Sequence, residues 1–125
     1  MIKVNYDREL NTVMIDFTGD IDAAQGEQQL QDIAKILPKQ GIGFKLLVDL
    51  SSVEHYDPEV RWPIKKAMDL FNAQGVTKII RVIPHPNQDI GLNIMSHFHY
   101  SDAVTVVTLP SRKEAEERLR KEKSH

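Results

Sequence analysis

Ile2, Val4 and Tyr6 alternate with polar residues, and Val13, Ile15 and Phe17 repeat the pattern. A period of two puts one set of side chains on a covered face and the other in water, so both segments predict β-strands. Residues 7–11 between them are turn-compatible, so the pair predicts an antiparallel hairpin. The period then changes. Leu30, Ile33, Ala34 and Leu37 recur at helical spacing, and residues 38–43, which run from a proline to a glycine, end that helix. Leu46-Leu47-Val48 is a continuous apolar run, which suits a strand covered on both faces. The strand is expected to end by Leu50, with Ser51 and Ser52 just past it and a short crossing before the next helix.

Ile64, Ala67, Met68 and Phe71 form a second helical stripe that reads as core, with Gly75 placed to cap its end. Residues 78–83 predict another strand, stopped by Pro84-His85-Pro86. Ile90, Ile94 and Phe98 predict a third helix, interrupted by Gly91, and residues 104–109 a last strand. Ser111 followed by Glu114 has the spacing of a capping box and opens a final helix. That helix is charged on most faces, with Ala115 and Leu119 as its main apolar contacts, so it reads as a solvated lid on an edge. The order β-β-α-β-α-β-α-β-α predicts an α/β domain with right-handed crossovers and a mixed, mostly parallel sheet with helices packed on it. Residues 118–125 have the composition of a frayed end, so the expected boundaries are a domain over 1–119 and a tail over 120–125.

Composition narrows the chemistry. A chain of 125 residues can bury a core without covalent staples, and the absence of cysteine removes disulfides and thiolate chemistry. Sixteen basic residues against eighteen acidic ones leave no electrostatic footprint for nucleic acid in the total. No apolar run is long enough to insert in a membrane, so a cytoplasmic location is expected. Among the five histidines, His97 and His99 would point to different sides of a helix, and His55 and His85 meet no ligand spacing, so no metal is expected. Gly41-Ile42-Gly43 precedes a strand and lacks the third glycine of a dinucleotide fingerprint. No cofactor is therefore expected. Ser51 and Ser52 are candidate phosphorylation sites, but no nucleophile elbow surrounds them and no catalytic residue is assigned. An enzyme would require Asp49, His55 or Asp57 to converge on a cleft.

Asp57-Pro58-Glu59 is a helix start by its own chemistry: a carboxylate to cap free amides, a proline suited to the first position, and an acid near the positive end of the dipole. Pro63 conflicts with a helix running on from Pro58. Either the helix kinks, or residues 57–62 form a loop and the helix starts at Pro63. The second case presents Val60 and Trp62 on a loop, where an exposed Trp62 is an interface anchor; the alternative is that Trp62 packs into the core.

Three short motifs, in order, resemble those of the STAS domains, the SpoIIAA-like anti-sigma factor antagonists. Gly19-Asp20-Ile21-Asp22 looks like the family's Gly-x-Leu-Asp, and Asp49-Leu50-Ser51-Ser52-Val53 looks like its Asp-Leu-Ser-Gly-Val. Asp57 matches the Asp of the family's Asp-Ser-Ser-Gly, but Pro58, Glu59 and Val60 stand where two serines and a glycine would be. The resemblance implies a SpoIIAA-like (STAS) fold and a bacterial regulatory module without enzymatic activity. It implies a protein partner of anti-sigma factor or serine-kinase type, bound at Asp57, Glu59, Val60 and Trp62; a homodimer stays open. Glu59 then carries a constant charge where a relative carries a phosphate, with about one charge against nearly two. A divergent SpoIIAA-like branch shares the loss of the serine and the charged, capped last helix. The alternative is a small-molecule or lipid-binding domain of the same fold, with a pocket near the second and third helices, where Met95, Phe98 and Tyr100 lie.

Overall fold

The computed structural model describes residues 1–83 and 103–123. Five strands form one sheet in the order β1-β2-β3-β4-β5: β1 (Ile2–Asp7), β2 (Thr12–Ile21), β3 (Lys45–Tyr56), β4 (Lys78–Val82) and β5 (Thr105–Leu109). Strands β1 and β2 make the predicted hairpin, in which Ile2 faces Phe17, Val4 faces Ile15 and Tyr6 faces Val13. Its turn is closed by Asp7, whose Oδ1 accepts the amide of Leu10 at 3.0 Å, and by Asn11 at φ 48. The other pairs, β2–β3, β3–β4 and β4–β5, are parallel. The sheet is therefore mixed and mostly parallel, as the element order predicts.

Helix α1 (Ala23–Ile36) joins β2 to β3, and α2 (Arg61–Ala73) joins β3 to β4. Right-handed crossovers between strands that advance in one direction put both helices on one face. There Ile33 of α1 and Ala67 and Phe71 of α2 close over Val13, Ile15, Phe17, Leu46 and Ile79. Two of the helix ends on this face have a clear chemical cause. Asp22 caps α1 in a reciprocal capping box with Gln25. At the other end of α2, Gly75 takes φ +85, and its amide and that of Val76 return to the carbonyls of Asn72 and Phe71.

The two helices approach closely where α1 carries Gly26. A Cβ there would sit 2.6 Å from Cγ of Pro63 and 3.1 Å from Cγ2 of Val60. Pro63 is buried in the first turn of α2, where its missing N–H forfeits no helical bond. The conflict between Pro58 and Pro63 is resolved in neither of the two expected ways. Residues Pro58–Val60 make a separate 3-10 turn, and α2 begins afresh at Arg61.

Helix α3 (Arg112–Lys123) covers the opposite face, burying Ala115 and Leu119 against Leu47, Ile80 and Val82. Ser111 caps it through the amide of Glu114 at 3.2 Å. Its apolar contact is small, and ion pairs hold both ends. Arg112 binds Asp16, Asp49 and Glu116, while Glu122 binds Lys78, Lys45 and Arg118.

Two expectations need correction, and one lies outside view. Strand β3 does not end before Ser51 but runs to Tyr56, because β2 runs alongside it to Ile21 and supplies partners. Helix α3 does not fray from residue 118 or 120 but continues to Lys123, because Leu119 is fully buried and Glu122 is clamped by lysines of β3 and β4. The expected third helix around Ile90, Ile94 and Phe98 falls outside the described residues.

Two predictions follow from this packing. Gly26→Ala should lower stability by about 1–3 kcal/mol in urea unfolding, since a methyl has to displace a proline ring; no loss would mean that α1 and α2 are not in this contact. The second concerns acid. Burial disfavours the Glu122 carboxylate, but the hydrogen bond from Lys78 and the charges of Lys78 and Lys45, with Arg118, outweigh it and hold its pKa below the ordinary carboxylate value. A carboxyl depressed in the folded state stabilises above its unfolded pKa and loses that contribution as pH falls through the folded one. Hydrogen-exchange protection of α3 should therefore drop between pH 6 and pH 3 more than that of β3, by a step that Glu122→Gln reduces.

Candidate partner-binding surface

The surface is built where β2 and β3 outrun the rest of the sheet. β4 pairs with β3 only as far as Asp49, opposite Val82. Beyond that level β3 continues beside β2 alone, and its register slips by one residue twice: Asp16 faces Asp49, Thr18 faces Ser52, and Asp20 faces His55. Each slip leaves an extra residue on β3, the arrangement of a β-bulge. A bulge strands backbone groups, and Asp49 serves one of them. Its Oδ1 accepts the amide of Ser51 at 2.9 Å and the Ser51 hydroxyl at 2.5 Å. Its Oδ2 accepts from Nη1 of Arg112 at 3.1 Å, and the same Nη1 also binds Asp16. The Asp-Leu-Ser sequence thus fastens the first bulge and the foot of α3 with one carboxylate. Burial alone would lower the Arg112 pKa, but the hydrogen bonds and charge of Asp16, with Asp49 and Glu116, raise it.

At the far end the two strands are tied together, the amide of Asp57 donating to the carbonyl of Ile21 at 2.8 Å. Asp57 then caps the 3-10 turn, its Oδ1 accepting the amide of Glu59 at 2.9 Å. The predicted helix-start chemistry is present, spent on a single turn. Tyr56, Asp57, Pro58, Glu59, Arg61 and Trp62 are all exposed, with Tyr56 at 57 % and Trp62 at 49 %. Arg61 and Lys65 both lie over the Trp62 ring, 5.0 Å and 5.9 Å from its centroid. An exposed indole braced by two cations loses little freedom when a partner covers it.

Of the residues the sequence singled out for binding, Asp57, Glu59 and Trp62 are brought together on this surface. Val60 is not part of it. It is 2 % exposed, turned inward against the Gly26 contact, because the 3-10 turn points it at α1. Ser51 and Ser52 are exposed on the extended strand, not past its end. His55 is exposed. Asp49 and Asp57 serve separate hydrogen bonds at opposite ends of the extension, Asp49 at its foot and Asp57 at its tip, and the convergence that a catalytic cleft needs is not formed by that pair. Sequence reasoning missed Tyr56 and the cations on Trp62, and it missed Arg112. The first two carried a local signal, an aromatic next to the turn and basic residues flanking the tryptophan. Arg112 carried none, since its carboxylates lie 63 and 96 residues away.

No protein-family model and no curated protein matches the sequence. Solved structures do match the fold. A DUF3478-family protein described as having a SpoIIAA-like fold, from Shewanella loihica, superposes with a TM-score of 0.71 at 11 % identity, over 94 % of this chain and 93 % of that one. The fold is SpoIIAA-like. The anti-sigma factor antagonist SpoIIAA in its unphosphorylated form superposes at 0.65 with 16 % identity, over 96 % and 98 % of the two chains. The phosphorylated form of SpoIIAA, the Bacillus cell fate determinant, gives 0.62 at 16 %, over 96 % and 100 %. With identities this low the matches establish the architecture, and the SpoIIAA-like fold expected from the three motifs is the one observed.

The double duty of Asp49 is testable. Asp49→Ala should cost about 2 kcal/mol in urea unfolding, because it strips a charged hydrogen bond from Arg112 as well as the bulge amide's acceptor. Ser51→Ala, which removes only a hydroxyl donor, should cost under about 1 kcal/mol. Equal effects would show that the carboxylate does not join the two elements.

Proposed function

We infer that this chain is a regulatory protein-interaction module, not an enzyme, and that it docks its partner with the surface formed by Tyr56, Asp57, Glu59 and Trp62. The observation that carries this reading is Trp62, half exposed at the head of α2 and braced by Arg61 and Lys65, beside an acidic turn capped by Asp57. Large aromatics in such positions dominate binding energy far more often than their share of surface. The architecture supports the reading as well, since structures with this fold include anti-sigma factor antagonists. The partner is then of anti-sigma factor or serine-kinase type, met in the cytoplasm; no helix among the described residues is long and apolar enough to cross a membrane. Glu59 supplies a permanent charge at the turn, as a partial substitute for a phosphate. Ser51 and Ser52 are exposed acceptors for phosphate, Ser51 only after its hydroxyl leaves Asp49.

The test is capture of partners from the source cell's lysate with wild type, Trp62→Ala and Glu59→Arg, each first shown to unfold at the wild-type urea midpoint. A protein held by wild type should bind Trp62→Ala about thirtyfold more weakly, the loss expected of a central aromatic. Glu59→Arg should weaken it too. Undiminished binding by both folded variants would remove this surface from the proposal.

A further inference from the structure

Strand β1 is the first strand of the sheet, and among the described residues nothing pairs with its outer edge. One pair reveals which backbone groups face outward there. The Thr18 amide donates to the Met1 carbonyl at 2.8 Å, and the Met1 amino group donates to the Thr18 carbonyl at 2.6 Å. Along an antiparallel ladder, a pair that exchanges both bonds alternates with a pair that exchanges neither. In the register of the hairpin, Lys3, Asn5 and Asp7 therefore turn their N–H and C=O toward β2. Ile2, Val4 and Tyr6 turn theirs to the open edge. The side chains of these three are partly buried on the face of the apolar core, while Lys3 and Asn5 are exposed on the other face.

A lysine on an edge strand ordinarily deters a second strand. Here the charges of the edge complement themselves. Lys3 makes no ion pair among the described residues, and Asp7 spends only Oδ1, on the amide of Leu10. Pair β1 antiparallel with β1 of another copy about a two-fold at Asn5, and Lys3 of each copy lies opposite Asp7 of the other. No other centre does this, and a two-fold at Lys3 or at Asp7 sets like charges face to face. Val4 then lies opposite Tyr6, and both have their backbone groups outward, so each such pair exchanges two hydrogen bonds. Lys3 and Asp7 fall on rungs without backbone bonds, where side chains approach most closely. A β-branched residue against an aromatic and a cation against an anion are both favourable cross-strand pairs. Tyr6 is already held in place by its hydroxyl, which donates to Asn11 Oδ1 at 2.6 Å. We propose that the outer edge of β1 binds a second copy of this chain, joining two five-stranded sheets into one continuous sheet across a two-fold at Asn5.

The test combines sedimentation equilibrium of the full chain with amide hydrogen exchange at low and high protein concentration. Wild type should dimerise. The amides of Val4 and Tyr6, open in the monomer, should exchange about tenfold more slowly once about nine-tenths of the chains are paired. The Asn5 amide, already bonded to β2, should not respond to concentration. Lys3→Glu should weaken the dimer about tenfold, since it turns two attractive pairs into repulsive ones. Mixing Lys3→Glu with Asp7→Lys should recover association, because each variant supplies the charge that the other lacks. Asp7→Lys also removes the acceptor for Leu10, and if it does not fold, Lys3→Glu and the exchange pattern decide. A chain that stays monomeric at millimolar concentration would overturn the proposal. So would a dimer whose Val4 and Tyr6 amides exchange as in the monomer, or a folded Lys3→Glu that associates as tightly as wild type. None of these outcomes bears on the Trp62 surface, which is scored by partner capture alone.

Discussion

The parallel pairing of β3 with β2 beyond the last rung shared with β4 is the constraint on which the candidate surface depends. Two strands without further neighbours form a weak ribbon, and here the ribbon is fastened at both ends. Asp49 holds its foot by taking up the Ser51 amide, and the bond from Asp57 to Ile21 closes its tip. The starts of α1 and of the turn leading into α2 are thereby placed side by side, since Asp22 and Asp57 directly follow those two strand ends. The tryptophan stands where it does because the strand beneath it is too long for the rest of the sheet.

The two faces of the sheet are held by different physics. Over the face carrying α1 and α2 the contacts are large and apolar, and they extend from Val13 to Phe71. Over the other face α3 buries little more than Ala115 and Leu119, and its position is set by Arg112 and Glu122 reaching carboxylates and lysines of the strands. Burial of hydrocarbon is indifferent to salt and acid at this level, whereas partly exposed ion pairs are not. One face of the protein therefore answers to solution conditions that leave the other untouched.

Much of this architecture was legible in the residues. The alternation in residues 2–6 and 13–17, the stripe from Ile64 to Phe71, and the caps at Gly75 and Ser111 each report a local requirement, and each is satisfied where it was expected. What escaped was set by distant partners. The polar stretch after Leu50 does not look like a strand, and it is one only because β2 lies beside it. The end of α3 reads as a frayed run of charges until Lys45 and Lys78 are known to lie beneath Glu122. At the candidate surface the acidic turn was plain from Asp57-Pro58-Glu59, but whether Trp62 and Val60 face outward or inward depended on a 3-10 turn that no propensity announces. The two residues went opposite ways.

The contact between Gly26 and Pro63 has a consequence for descent. Pro63 is tolerable where it stands only because of what Gly26 lacks: α2 can carry a ring against α1 because α1 has no side chain there. A lineage can replace Pro63 freely while Gly26 stands, but it can replace Gly26 only after the ring has gone. The order of the two substitutions is fixed by geometry, so relatives of this chain should divide into those with both residues, those without the proline, and those with neither, and a chain keeping the proline alone should be missing.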